Sequence, residues 1–123
     1  MLGPMPAYGF YARNAHGITL SNIRLEVATP EMRPAMILDH VRDVAINGLS
    51  IDVNPKAESA LRMIDTRDVL ITAPRVLTPA STFLRLEGTD NSGIIIDGGD
   101  LRRAKKSLDL SDGATEGAVK IRD

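Results

Sequence analysis

The sequence predicts an all-β chain folded as a right-handed parallel β-helix of about four to five coils. Three observations predict it. Apolar and polar residues alternate in short runs, the two-residue period of a strand. The runs return at near-constant spacing: Phe10, Met36, Leu61, Leu84 and Leu108 open successive copies 26, 25, 23 and 24 residues apart. Each copy then turns at one phase on small or polar residues, Ser21-Asn22, Asn47-Gly48, Thr72-Ala73 and Asp97-Gly98. A fixed period of about 20–50 residues marks a solenoid. Several short strands inside that period mark a β-helix.

The elements follow in order. Phe10 and Ala12 begin the first coil, followed by Ile18 and Leu20, then Ile23, Leu25 and Val27. Met36 and Leu38 lead to Val44 and Ile46, then Leu49, Ile51 and Val53. Leu61 and Met63 lead to Val69 and Ile71, then Val76. Leu84 and Leu86 lead to Ile94 and Ile96, then Leu101. Leu108 and Leu110 with Val119 and Ile121 make a partial fifth copy. This spacing predicts three short strands per coil. Residue identity repeats as well, in Arg42-Asp43-Val44 against Arg67-Asp68-Val69 and Gly17-Ile18 against Gly93-Ile94. The corner residues tolerate positive φ or bond their own backbone. Asn47-Gly48 alone would also suit a hairpin, but the same corner recurs in phase without that pair. An antiparallel sandwich is the second fold that short, evenly spaced strands allow.

The 123 residues read as one domain, with a leading loop over 1–7 and surface loops at 102–107 and 111–117. Only 3% of residues are aromatic, which suits a core of stacked Ile, Val, Leu and Met. A net charge of −1 argues against nucleic acid as a partner. No stretch is long and apolar enough for a membrane-spanning helix. The absence of cysteine excludes disulfides, thiolate zinc sites and thiol catalysis. The opening Met1–Pro6 has neither the charged start nor the apolar centre of a signal peptide. A solenoid needs its first coil capped, and with no amphipathic helix to do so the chain reads as beginning in mid-architecture.

The segment Pro6-Ala7-Tyr8-Gly9-Phe10-Tyr11-Ala12-Arg13-Asn14 leads to Ile18-Thr19-Leu20-Ser21-Asn22-Ile23 and then to Met32-Arg33-Pro34-Ala35-Met36-Ile37-Leu38-Asp39. About half of the chain thereby resembles the C-terminal coils of glycoside hydrolase family 28, the polygalacturonase and rhamnogalacturonase-like pectin enzymes. Two positions depart from the family pattern: Asn14 stands where His is expected, and Glu31 where Asp is expected nearby. The resemblance implies a pectin-lyase-like single-stranded solenoid, a pectic substrate, and a secreted or periplasmic parent protein. Members of the family invert with clustered aspartates carried by Asn-x-Asp, Asp-Asp, Gly-His-Gly and Arg-x-Lys motifs. The first three are absent from this chain. An inverting mechanism needs an acid and a base roughly 6.5–9.5 Å apart, and the family's aspartates lie upstream of the coils matched. No catalytic residue is therefore assigned, and the chain is expected to be inactive alone.

The alternation sorts the faces. With Phe10, Met36, Leu61 and Leu84 inward, one outward row is Tyr11, Ile37, Arg62 and Arg85, and the next is Arg13, Asp39, Ile64 and Glu87. In the family this strand floors the sugar cleft, so the resemblance implies that Tyr11, Arg13, Arg62 and Arg85 bind substrate. Arg62 and Arg85, about 5 Å apart, would hold one sugar carboxylate between them, since the guanidinium fork suits a carboxylate. The plainer alternative is a solvated face with Arg13 paired to Asp39 and Arg85 to Glu87. On that reading Arg62→Ala is nearly silent for stability. Tyr11 suits either sugar stacking or the seam between coils. Asp39 and Glu87 share a row about 10 Å apart, at the far limit for an inverting pair.

His16 and His40 fall at turns of successive coils and have no second ligand at metal spacing. Neither a metal nor a cofactor is expected. Asp97-Gly98-Gly99-Asp100 reads as a turn with a one-residue insertion, because calcium-binding glycine repeats come in tandem. Arg102 to Lys106 is a charged loop without the interleaved aromatics of a nucleic-acid site. Two functions remain. One is the C-terminal part of a pectin-acting hydrolase, stacked on upstream catalytic coils of the same parent. The other is a non-catalytic β-helix that binds acidic polysaccharide, galacturonan or rhamnogalacturonan, or a partner protein.

Overall fold

The structure is a computed structural model that describes residues 7–27 and 32–122. Glu31 and all of the expected leading loop except Ala7 lie outside the described residues. One parallel sheet runs in the order β1 (Phe10–Arg13), β3 (Met36–Asp39), β5 (Leu61–Ile64), β7 (Ala80–Glu87) and β9 (Ala104–Ser111). A second holds β2 (His16–Leu25), β4 (Arg42–Ile51), β6 (Arg67–Val76), β8 (Ser92–Asp97) and β10 (Val119–Arg122), in that stacking order. Each odd strand is followed by its even partner in the other sheet, and every pairing is parallel to the strand one coil on. This is a parallel β-helix, as the repeat predicts. Among the described residues the single helical element is the 3-10 turn Glu116–Ala118.

The register reproduces the period. Phe10 pairs with Met36, Met36 with Leu61, Leu61 with Leu84 and Leu84 with Leu108. Ile18, Val44, Val69, Ile94 and Val119 form the matching row of the second sheet. A one-residue slip would turn every inward side chain out, so the apolar pattern itself holds this register. Met36, Leu38, Val44, Ile46, Leu61, Met63, Val69 and Ile71 are all fully or nearly fully buried. Phe83, just ahead of Leu84, is also fully buried and lies outside the alternating pattern.

Backbone sterics make the corners. Asn14, His40, Asp65, Gly88 and Asp112 all have positive φ at the turn out of the first sheet. A second such set is Asn22, Gly48, Ala73 and Gly98. Asn, Asp and Gly are the residues that enter the left-handed region at least cost. The second set corrects the expected three strands per coil. Each single positive-φ residue bends the second strand while pairing continues on both sides, as in Leu20↔Ile46 and Ile23↔Leu49. Three of the five even strands therefore run ten residues through the bend.

Three further expectations change. Residues 104–107 are not loop but the first half of β9, with Ala104 on Ala80 and Lys106 on Thr82. The Asp97–Asp100 turn carries no insertion, because Thr72↔Asp97 and Arg75↔Asp100 keep one offset across it. The extra residues lie at 88–91: Ile64↔Glu87 and Arg67↔Ser92 leave four residues in that corner, against two in the coil before it. Finally, His16 is not at a turn: it opens β2 and pairs with Arg42, whereas His40 does lie in the turn before Arg42.

Candidate functional site

The outward face of the first sheet brings the sequence-predicted residues into two rows. Tyr11, Ile37, Arg62, Arg85 and Asp109 are in register, and so are Arg13, Asp39, Ile64, Glu87 and Ser111. Parallel strands lie about 4.8 Å apart, so neighbours in a row touch. The face is nonetheless far from a bare solvated surface. Ile37, between Tyr11 and Arg62, is only 1% exposed.

Glu87 is the centre of the face and is nearly buried, at 8% exposure. Arg62 grips it with two donors: Nε bonds Oε2, and Nη2 donates to Oε1 at 2.9 Å. Arg85 Nε faces the same Oε2 at 3.4 Å without a well-directed hydrogen bond. The rest of the Arg85 guanidinium reaches Glu58 at 3.5 Å, Asp109 at 3.7 Å and the Ser111 hydroxyl at 3.3 Å. The hydrogen bonds that Arg62 donates to Glu87 hold its guanidinium above the usual arginine range; burial works against this, and the charge of Glu87 adds a smaller push upward. The place where an external carboxylate was expected, between Arg62 and Arg85, holds the chain's own Glu87.

At the first coil the face is looser. Arg13 is 64% exposed at its side chain and meets Asp39 Oδ2 at only 3.8 Å. Tyr11 is half-buried, and its hydroxyl has no hydrogen bond among the described residues. Asp39 turns its other oxygen to His40 Nδ1 at 2.5 Å. His40 Nε2 points to Asp65 Oδ2 at 3.5 Å, so one imidazole bridges carboxylates of adjacent coils. Asp39 and Glu87 do share a row, but each is already engaged by cationic partners.

Among the described residues no group of His, Asp and Glu is arranged to hold a metal ion. The Arg-x-Lys triplet occurs once, as Arg103-Ala104-Lys105 at the turn into β9. Arg103 there pairs with Asp100, away from Asp39 and Glu87. Sequence reasoning also missed a polar pin beneath the corner. The buried Thr66 hydroxyl donates to the Leu38 or Ile64 carbonyl, each 3.0 Å away. Its amide donates to Asn91 Oδ1 at 3.0 Å, and Asn91 Nδ2 donates to the Glu87 carbonyl at 2.9 Å. The buried polar atoms that fix Glu87's strand end are thus satisfied by neighbouring coils.

Set against protein-family models, curated proteins and solved structures, the chain matches none. What the fold and the site define is a class: a parallel β-helix module with an ion-paired, partly exposed outer sheet face.

Proposed function

We propose that this β-helix is a non-catalytic module whose first-sheet face receives an acidic polysaccharide, and that it forms the C-terminal coils of a pectin-acting hydrolase. The observation that carries the reading is the gradient along that face. Glu87 and its two arginines form a closed network, whereas Tyr11 and Arg13 on the first coil remain accessible. A ring and a guanidinium side by side suit stacking on a sugar and pairing with a uronate carboxylate. The resemblance to the C-terminal coils of family 28 implies the same reading, because in that family the equivalent strand floors the sugar cleft. The inward residues of the first coil, Phe10, Ala12, Ile18 and Leu20, are only half-buried, which supports further coils of the same protein stacking there. On this reading Arg62 and Arg85 shape the face more than they grip substrate, and a secreted or periplasmic location follows from the pectic ligand.

Affinity electrophoresis through polygalacturonate tests the binding. Retardation is expected at low salt, fading as salt rises because exposed charges are screened within about 8–10 Å. Tyr11→Ala with Arg13→Ala should abolish it, and a neutral galactan should not retard the chain. Equal migration of parent and double variant would overturn the reading. A reducing-end assay on the same polymer should show no hydrolysis by this chain alone.

A further inference from the structure

A second recess lies beside the outer face, where each coil turns from the first sheet into the second. It is a groove of about 380 Å³ running along the solenoid across coils one to four. Its floor is Ala15 and the almost fully buried Val41. One wall is the positive-φ row Asn14, His40 and Asp65, and the other is the register row His16, Arg42 and Arg67. Asp90 lines it too, and belongs to the corner that is two residues longer than the corner before it.

One side chain of this groove, Arg42, has no structural partner among the described residues. Arg42 and Arg67 face each other in register, and like charges placed directly opposite are destabilising. Asp90 relieves Arg67, whose Nε donates to the Asp90 carbonyl at 3.2 Å and whose Nη2 lies 3.6 Å from its carboxylate. Nothing relieves Arg42: its amide donates to the Ala15 carbonyl at 3.2 Å, but its guanidinium has no hydrogen bond or ion pair among the described residues. The opposite wall is polar and mixed: the Asn14 amide, the His40 ring and the Asp65 carboxylate.

We propose that this corner groove binds a small polyhydroxy carboxylate, with its carboxylate on Arg42 and its hydroxyls on Asn14 and Asp65. The guanidinium fork suits a carboxylate bound at two points. Hydroxyls suit the opposite wall because they donate to Asp65 and accept from Asn14. A multiply charged inorganic anion fits less well, since Asp65 and Asp90 would repel it. The volume lies at the small end of the usual range for ligand sites, about 300–1,000 Å³. Ala15 and Val41 offer the carbon skeleton an apolar floor. The inference stands apart from the reading of the outer face, because it uses neither Tyr11 nor Arg13.

Amide NMR titrations of the full chain test it with three probes: D-gluconate, D-glucitol (the same skeleton without charge) and inorganic phosphate. Saturable shifts at Ala15, Val41, Arg42 and Asp65 are expected with gluconate, and binding at least about tenfold weaker with the other two. Arg42→Gln, at an exposed position, removes the like-charge pair with Arg67, so it should melt no lower than the parent while losing about tenfold in gluconate affinity. Tyr11→Ala should leave gluconate binding unchanged. Absence of saturable shifts, equal binding of phosphate, or an Arg42→Gln variant that binds as well as the parent would each overturn the proposal.

Discussion

Leu20 and Ile46 are the same residue of the repeat in two different coils. They pair directly, both point inward, and both sit in β-strands of the same sheet. Ile46 is fully buried, while Leu20 is only half-buried. The contrast repeats along the first coil: Phe10 against Met36, Ala12 against Leu38, Ile18 against Val44. A solenoid residue is buried by the coil above and the coil below, not by its own strand. Position in the stack, more than side-chain type, therefore sets how much each apolar residue contributes, as expected where each repeat contacts only its neighbours.

The strongest way to break this comparison is charge insertion at matched positions. Ile46→Asp places a carboxylate in the core without a partner and should cost several kcal/mol, enough to unfold a domain of this size. Leu20→Asp should cost markedly less, read as a smaller shift in the urea midpoint at unchanged slope. Equal losses would mean that the first coil is as buried as the second. Below these come two glycines that separate strain from collision. Gly99 has φ +89, and an added Cβ would lie 2.2 Å from the Pro74 carbonyl oxygen. Gly17 has φ +72 and open space around it. Gly17→Ala should cost about 1–2 kcal/mol from backbone strain alone. Gly99→Ala adds a backbone clash and should cost more in thermal melting.

The outer face sharpens the comparison at lower amplitude. Arg62→Ala removes the bidentate partner of the nearly buried Glu87 and should cost about 1–3 kcal/mol. This corrects the near-silence expected of an exposed pair. Arg13→Ala, at an exposed and loosely paired residue, should cost about 0–1 kcal/mol. Equal effects of the two would mean that Glu87 is no more dependent on its partner than Asp39. Because the Arg62 value is raised, its share of the pair's stability is present below the ordinary arginine range and is lost only as pH climbs beyond that range. The Arg62→Ala penalty should therefore stay level in urea titrations between about pH 6 and 9.

The inward rows were legible because burial demands one parity, and Phe10, Met36, Leu61 and Leu84 could only be aligned one way. The corners were half legible. Asn22 and Gly48 announce positive φ, but Ala73 occupies the same conformation without any sequence signal. The insertion was hidden because it falls between apolar rows. Gly98-Gly99 looks irregular yet keeps the offset, whereas Gly88-Thr89-Asp90-Asn91 adds two residues with no apolar marker to betray them. Phe83 escaped because a bulky residue next to Leu84 reads as outward by parity. On the outer face the rows were legible and the clasp was not. Alternation places Arg62 on one row and Glu87 on its neighbour one coil away, and only side-chain geometry shows that the two meet.

The direction of the inter-coil hydrogen bonds has a mechanical consequence. Among the described residues all ten strands pair parallel between coils, so their bonds run along the solenoid axis. A force applied between Phe10 and Arg122, at opposite ends of the stack, loads these bonds one coil at a time and not all together. The chain should then unravel in steps under low tension. With about 25 residues per coil and at most about 3.3–3.6 Å per residue, each step would release roughly 80–90 Å of contour length. The module would behave as a paid-out tether, lengthening coil by coil while the remainder of the stack keeps its shape.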